Sequence, residues 1–366
     1  MGKIRNSTRI CRSLWQHPRD SRADLAKRLK IDKSTITYEI ARLIDEGVIV
    51  ELPKDTVPGS GRNPIPLELS REYGCVLGIS IQNGSCALAE VNLAGEVLYT
   101  QQIDMQVTKD NLISTIVGLY DRFISLRKPQ QSRCLGVGIG VGGLISKNTD
   151  AICYSVPLGV TESFAFVSQI SKSISVPVTL ENNANCCAWA RLSFPPICTE
   201  RNFITILIEF QQALLDHPKY GGVGIGLGLV LNGKLYQGEH SFAGEFRSAF
   251  CRYGIGDGQL SIPRDKLAHI LEDEAILESF TEELASNMAM LVNTLDVGEV
   301  FVRSDMDKEG KLFCSALRRA IDVNWLFPVK KEVSISFTSL GPVSVAYGAT
   351  GHLVTELFEK GTIPLE

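Results

Sequence analysis

Residues 21–47 constrain the fold of this chain most, because they have the pattern of two short amphipathic helices joined by a tight turn. Ser21 can cap the first helix, since its hydroxyl oxygen can accept a hydrogen bond from an unpaired backbone N–H. The turn around Ile31 has roughly the length that a helix-turn-helix needs. We expect Ser34 to cap the second helix and Gly47 to end it in a left-handed conformation. The predicted buried faces are Leu25, Ala26 and Leu29 in the first helix and Ile36, Ile40, Leu43 and Ile44 in the second.

The second helix has a polar face that suits DNA. It presents Thr35, Thr37, Tyr38 and Arg42. Such a helix can lie in the major groove, with its first residues reaching base edges and phosphates. However, any compact helical hairpin has the same apolar periodicity, and Ser34 and Thr35 could serve only as helix caps. The hairpin alone therefore leaves DNA binding and a purely structural role both open.

The segment after the hairpin favours DNA binding. Residues 48–52 and 65–69 are short runs of alternating apolar and polar side chains. The stretch between them is rich in proline and glycine, with Arg62 near its end. Two short strands around such a stretch predict a β-hairpin in the position of a wing.

The distribution of charge agrees with this prediction. Residues 1–42 hold eleven lysines and arginines against four acidic residues, a net charge of +7. Since the whole chain has a net charge of −4, the remainder sums to −11. A basic head on an acidic body is typical of a module that contacts the phosphate backbone.

The bulk properties are those of a protein with two or three domains. The chain has 366 residues, and no apolar run approaches the roughly 20 residues that a membrane span needs. The N-terminal residues lack the apolar segment of a secretory signal. The ten cysteines are scattered without any CxxC pair, which favours reduced thiols in the cytoplasm and gives no support for a metal site.

The body has a repeated α/β pattern. Three strands, a helix and a further strand occupy residues 75–141, and a helix near 163–173 precedes a strand at 176–180. Strands at 203–209 and 224–231 begin the pattern again, followed by helices at 274–295 and 311–321. Two similar α/β halves with a cleft between them are predicted.

Four motifs in order resemble the ROK family, which contains repressors and sugar kinases. They are GSGRNP (59–64), GIGVGG (138–143), LENNANCCAWA (180–190) and GVGIGLGLVLNGKLYQGEHSFAGE (222–245). The resemblance implies an α/β protein with a winged helix-turn-helix DNA-binding domain at residues 1–70 and a two-lobed fold of the actin/hexokinase type. It implies lobe 1 at residues 71–183 and lobe 2 at 184–366, with the C-terminal helix packed back on lobe 1.

The resemblance also argues against kinase activity. The proton acceptor of ROK kinases is the Asp of an E-N-D-A-N motif, and here the matching residue is Asn183, an amide without usable basicity. The first phosphate loop, at residues 78–84, lacks its carboxylate, and Arg303 and Ser304 replace two glycines near the adenine pocket. Only the second glycine loop, at residues 222–228, looks intact, and its glycines can instead serve close strand packing. Cys251 alone cannot form the zinc site of the family, so we expect no metal. Because of Asn183 and the altered first phosphate loop, we expect no catalytic residue and no cofactor.

The resemblance implies that four residues line a sugar site. These are Gly143, Asn182, Asn183 and Glu245. An amide can donate and accept hydrogen bonds to sugar hydroxyls, although Ser248 stands where relatives have a sugar-contacting histidine. In the alternative interpretation, Asn182 and Glu245 only cap a helix or hold a turn.

The leading hypothesis is a transcriptional regulator of carbohydrate metabolism, a repressor, that binds double-stranded operator DNA as a homodimer or homotetramer. Thr35, Thr37 and Tyr38 would face the groove, with Ser34 beside them, and Arg22, Lys33 and Arg62 would hold phosphates or the minor groove. A sugar effector would act through the cleft, and no membrane partner is expected. The alternatives are an ATP-dependent kinase of glucose or an N-acetylated amino sugar, and a DNA-binding protein that responds to no effector.

Overall fold

The computed structural model describes residues 5–53, 64–82, 84–127, 133–194, 201–210, 222–252, 258–338 and 343–361. The head comprises α1 (Asn6–Gln16), α2 (Arg22–Leu29), α3 (Lys33–Asp45), β1 (Ile49–Glu51) and β2 (Leu67–Leu69). Strand β1 pairs antiparallel with β2, and Ser21 forms a bridge with Pro66. This arrangement is a winged helix, as predicted, with a first helix, α1, that the sequence analysis had not identified.

The predicted cap of α2, the buried stripe of α3 and the left-handed Gly47 are confirmed. The Ser21 side chain accepts from the Asp24 N–H, and the Asp24 carboxylate accepts from the Ser21 N–H, which forms a capping box at the start of α2. The buried stripe of α3 faces the core of the head, and Gly47 has a φ of +72° just after the helix.

The body contains two five-stranded sheets of the same topology. The first, in spatial order β5-β4-β3-β6-β9, is antiparallel at its first two pairings and parallel at the others. The second has the order β12-β11-β10-β13-β14, and its first two pairings are likewise antiparallel and its last two parallel. From residue 74 to residue 193 the elements of the body are β3 (Gly74–Gln82), β4 (Ser85–Asn92), β5 (Val97–Asp104), α4 (Leu112–Leu126), β6 (Arg133–Val141), β7 (Leu144–Ser146), β8 (Ala151–Tyr154), α5 (Phe166–Ile170), β9 (Val178–Asn182) and α6 (Asn183–Ser193). Those that follow are β10 (Phe203–Phe210), β11 (Val223–Leu231), β12 (Lys234–Leu235), α7 (Arg264–Leu267), α8 (Glu274–Thr294), β13 (Glu299–Ser304), α9 (Asp307–Asn324), β14 (Ser334–Thr338) and α10 (Val343–Lys360).

The structure differs from the predicted elements at several places. The helix expected at 163–173 is only the five-residue α5, and α9 is longer than the expected 311–321. The β7–β8 hairpin was missed because its strands have only three and four residues. Within the described ranges, none of the helices has the length and apolar content that a membrane span requires.

Helices α6 and α10 join the parts of the body. Helix α10 packs on β3 and β6 of the first sheet, while α6 packs on β10 and β11 of the second. The two helices meet at Gly348, where an added Cβ would lie 1.7 Å from the Cys186 carbonyl oxygen. Their approach therefore depends on the absence of a side chain at this position.

One apolar core continues from the head into the body. The ring of Trp15 on α1 lies 5.5 Å from that of Phe358 on α10 and 6.1 Å from that of Phe194 after α6, measured between ring centroids. An ion pair of 3.1 Å between Arg12 and Glu359 lies at the surface above this contact. The head is thus packed against the body through α1 and α10.

Gly348→Ala is expected to destabilise the protein, because the new methyl group would overlap the backbone of α6, and the helix can relieve this overlap only by shifting. Overpacking of this kind costs about 1–3 kcal/mol of unfolding free energy, or more. Gly118→Ala is the matched control, since a Cβ at this exposed site in α4 meets nothing within 4 Å. The control should gain up to about 1 kcal/mol from helix propensity. Urea unfolding followed by circular dichroism measures both, and equal stability of the two variants would contradict the proposed close packing.

Candidate functional site

The N-terminal half of α3 is exposed to solvent. Lys33, Ser34, Thr37 and Tyr38 are all exposed, and the Tyr38 residue retains 70% of its accessible surface. The Thr37 hydroxyl donates to the Lys33 carbonyl oxygen at 2.8 Å, so its oxygen can still accept from a partner. The surface has the polar and cationic groups that a DNA groove can contact.

The cap of α3 is Asp32, and the prediction that Ser34 caps this helix was wrong. The Asp32 carboxylate accepts from the N–H groups of Ser34 at 3.0 Å and Thr35 at 3.1 Å. Both hydroxyls also donate to it, at 2.5 and 2.6 Å, and these bonds hold the pKa of Asp32 well below its usual range. The first turn therefore carries a negative charge, because an aspartate just before the helix satisfies the amides that Ser34 was expected to cap.

The predicted cations of the head have different surroundings. Arg22 forms an ion pair of 2.7 Å with Glu51, which joins α2 to β1. Arg42 lies between Glu39 at 3.1 Å and Glu46 at 3.4 Å. Arg62 lies outside the described residues. The DNA contacts of these arginines remain predictions.

A cavity of about 310 Å³ lies in the cleft between the two sheets. The four residues predicted to bind sugar all line it, and the structure adds Glu209 to them. Segments of both lobes contribute, from the turn after β6 and the start of α6 to the ends of β10 and β11. The cleft thus brings together residues that are far apart in the sequence.

Asn182 caps α6. Its side-chain oxygen accepts from the N–H groups of Ala184 at 2.8 Å and Asn185 at 3.2 Å, and its amide group donates to the Gly143 carbonyl oxygen at 2.9 Å. The alternative interpretation, in which Asn182 caps a helix, therefore describes one of its roles. These bonds also fix the cleft wall around Gly143.

Asn183 contacts a buried carboxylate that the sequence analysis did not identify. Its amide group donates to Glu209 Oε2 at 3.1 Å, and its side-chain oxygen accepts from the Ala184 N–H at 2.9 Å. Gln82 at the end of β3 donates to the other oxygen of Glu209 at 3.0 Å. Glu209 thus links lobe 1 to lobe 2 beside the residue that matches the kinase base.

The electrostatic environment of Glu209 favours its neutral form. Burial raises the pKa of the Glu209 carboxyl to about 7. The Asp305 carboxylate adds to this rise, and the Arg303 guanidinium opposes it. The available sequence signal was a single carboxylate inside the apolar strand 203–210. Its partners could not be inferred, because they come from three other elements.

Glu245 lies elsewhere along the wall of the same cavity. Burial raises its pKa as well. Ser248, in the position of the family histidine, is buried, and its hydroxyl oxygen accepts from Asn287 Nδ2 at 3.1 Å and from the Phe250 N–H at 3.2 Å. Ser248 therefore supports the loop in this structure.

The glycine-rich segment described as the second loop is mostly strand β11. A Cβ at Gly226 would lie 2.8 Å from the Ala184 Cβ, and one at Gly228 would lie 2.7 Å from the Ala184 carbonyl oxygen. These glycines let α6 pack closely on β11, which is the alternative interpretation of the motif.

Glu181 anchors the start of α6 on the side away from the cleft. Burial would raise its pKa, but the Lys147 ammonium at 3.0 Å outweighs this effect and brings the pKa to about 2. Trp189 Nε1 and Asn185 Nδ2 both donate to the same carboxylate at 3.2 Å. The residue before Asn182 and Asn183 is thus an ionised, fully bonded side chain that restrains both of them.

Comparison with known families gives two matches. Residues 76–247 match the ROK family and residues 5–55 match the MarR family. The chain carries a ROK family domain. The head that precedes this domain is a winged helix of the MarR type.

Relatives align with the head and the ROK domain together. The xylose repressor of Bacillus subtilis is 26% identical, with 98% of this chain and 97% of that protein aligned. The xylose repressor of Caldicellulosiruptor bescii is 22% identical, with 96% of each aligned. Among solved structures, a ROK family transcriptional regulator that is a homolog of the E. coli MLC protein has a TM-score of 0.71 at 20% identity, covering 97% of this chain and 98% of that one. A ROK glucokinase of Streptomyces griseus, solved with glucose and AMPPNP, has a TM-score of 0.59 at 17% identity, covering 75% and 98%.

Cys251, the cysteine considered for the family zinc site, lies just after the residues that match the ROK family. Within the described ranges, no group of three or more histidine, cysteine or acidic side chains is placed to hold a metal ion. Residues 253–257 lie outside those ranges, and the loss of zinc remains a prediction.

Glu209→Gln is expected to change how stability depends on pH. Since the folded-state pKa of Glu209 is raised, its stabilising contribution is present below pH 4.5 and is lost as the pH rises through about 7. The loss amounts to up to about 3 kcal/mol, and glutamine, which stays neutral, should remove it. Urea unfolding at pH 5 and pH 8 measures the difference, and an identical pH dependence of the wild type and the variant would contradict it.

Proposed function

We propose that this chain is a transcriptional repressor that binds double-stranded operator DNA through α3 and responds to a sugar held in the inter-lobe cleft. The proposal rests on the exposed N-terminal half of α3 in a basic winged helix whose core continues into a two-lobed body. Relatives named xylose repressors align over both parts, which supports the same division of labour here.

The exposure of the side chains supports an order among the proposed DNA contacts. Lys33, Thr37 and Tyr38 are exposed, and we assign them the main contacts to phosphate and base edges. Ser34 and Thr35 are secondary, because both donate to the ionised Asp32, whose charge repels a nearby phosphate. Arg22 and Arg62 are proposed as phosphate or minor-groove contacts. To bind DNA, Arg22 would leave its ion pair with Glu51.

The effector is proposed to bind Gly143, Asn182, Asn183 and Glu245 in the cleft. Amide and carboxylate groups suit the hydroxyls of a sugar. Closure of the lobes around a sugar would shift α6, which begins at the cleft and packs on α10. Helix α10 contacts Trp15 of the head, so the two states of the cleft can differ in their affinity for DNA.

One winged helix reads a short site, so we propose that the protein acts as a homodimer or homotetramer. Two heads related by a two-fold axis would read half-sites one helical turn, about 34 Å, apart or a multiple of it.

Sequencing of genomic DNA captured by the purified full chain tests the regulator, and a two-fold-symmetric enriched site is the expected result. Lys33→Ala should weaken binding to this site and lower the slope of log K against log salt concentration by about 1 for each phosphate that is no longer neutralised. Lys330→Ala, an exposed lysine of the second lobe, is the matched control and should leave the slope unchanged. Absence of any enriched site would contradict the proposal, and release of the DNA by D-xylose or D-glucose would distinguish an effector-responsive protein from one that responds to no sugar.

One observation favours the kinase alternative. Glu209, whose pKa burial raises to about 7, lies 3.1 Å from Asn183 and could accept a proton in place of the missing aspartate. We nevertheless expect no sugar-dependent ADP release with Mg-ATP and D-glucose or N-acetyl-D-mannosamine, because the first phosphate loop is degenerate. Measurable turnover by the wild type that Glu209→Gln abolishes would instead establish the kinase.

A further inference from the structure

Glu209 closes the cavity at the end next to Asn183. It is 9% exposed, and each of its oxygens accepts a hydrogen bond from an amide, one from Gln82 and one from Asn183. Its carboxylate lines the cavity, and the two amide donors occupy only part of its accepting capacity. It can therefore accept a hydrogen bond from a ligand hydroxyl.

The charged side chains that line the cavity are both carboxylates within the part of the chain that the structure describes. They are Glu209 and Glu245, and the remaining lining residues are apolar, amide, tyrosine or glycine. Behind Glu209, the nearest charged groups are Arg303 and Asp305, on and just after β13, which oppose each other. Cys187 of α6 also faces Glu209, and burial raises its pKa, so it stays neutral.

The helix end that points at the cavity offers little to an anion. The N-terminus of a helix usually attracts phosphate through its unpaired N–H groups. Here the Ala184 and Asn185 N–H groups donate to Asn182 Oδ1, and Ala184 also donates to Asn183 Oδ1. The N–H groups that could bind a phosphate therefore already donate to asparagine side chains.

We infer that Glu209 contacts the ligand directly and makes this cavity selective for an uncharged polyhydroxylated molecule over the phosphate ester of the same molecule. The inference rests on the proposed function, in which the cavity holds a sugar effector. A hydroxyl gains a charged acceptor in Glu209, whereas a phosphoryl group would lie among two carboxylates, with no cation among the lining residues that the structure describes. In this inference the ligand is a free sugar, bound before it is phosphorylated.

Isothermal titration calorimetry of the full chain tests this selectivity. The probes are D-xylose and D-glucose, each compared with its terminal phosphate ester, at pH 6 and pH 8. At pH 8 the parent sugar should bind to the wild type about tenfold more tightly than the ester, or better. The preference should be smaller at pH 6, where Glu209 is mostly neutral.

Glu209→Gln should reduce the preference at pH 8 at least threefold and remove its dependence on Glu209 ionisation. The ionisation of the phosphate ester between pH 6 and pH 8 is the same in the experiments with both proteins, so it does not affect the comparison. Glu90→Gln is the matched control, because Glu90 is also a buried glutamate but lies on β4 outside this cavity, paired with Arg127. It should keep the wild-type preference, and thermal unfolding of each variant verifies that it is folded.

Three outcomes would overturn the inference. They are equal or tighter binding of an ester by the wild type, the same preference in wild type and Glu209→Gln, and no binding of either sugar. The regulator is tested separately by genomic DNA capture without sugar. DNA binding without sugar selectivity refutes only this inference, and sugar selectivity without DNA binding refutes only the repressor.

Discussion

The close contact between α6 and α10 is the constraint on which the rest of the structure depends. It requires a bare backbone at Gly348 against the Cys186 carbonyl, and it places two helices between the two sheets of the body. Helix α6 begins at the cleft with Asn183, and α10 carries Phe358, which packs against Trp15 of the head. A continuous packed layer therefore extends from the cleft to the winged helix, and helices packed as tightly as these shift as units rather than deform.

The cleft of the ROK domain is held by polar side chains. Asn182 holds the wall at Gly143, and Glu181 is fixed from behind by Lys147. At one end of the cleft lie the Asn183 amide and the carboxyl group of Glu209, whose pKa burial raises to about 7. Amide and carboxyl groups in such an arrangement can exchange hydrogen bonds with hydroxyl groups.

Much of the fold could be predicted because it depends on local patterns. The apolar stripe of α3, the capping box at Ser21 and the alternating strands of the two sheets are readable from spacing within a few residues. A prediction failed where two nearby side chains could both cap the same helix, since Asp32 rather than Ser34 caps α3. Predictions also failed for short elements such as β7 and β8, whose few residues give too weak a pattern.

The sequence by itself determined the order of the domains, the basic character of the head and the residue types in the cleft. Only the tertiary structure decided which of these residues meet. Glu209 looks like one polar residue in an apolar strand, yet folding places it between Gln82 and Asn183, which come from different elements. The same holds for the core shared by α1 and α10, since contacts between residues more than 300 positions apart depend on the topology of the whole chain and leave no local periodicity to read.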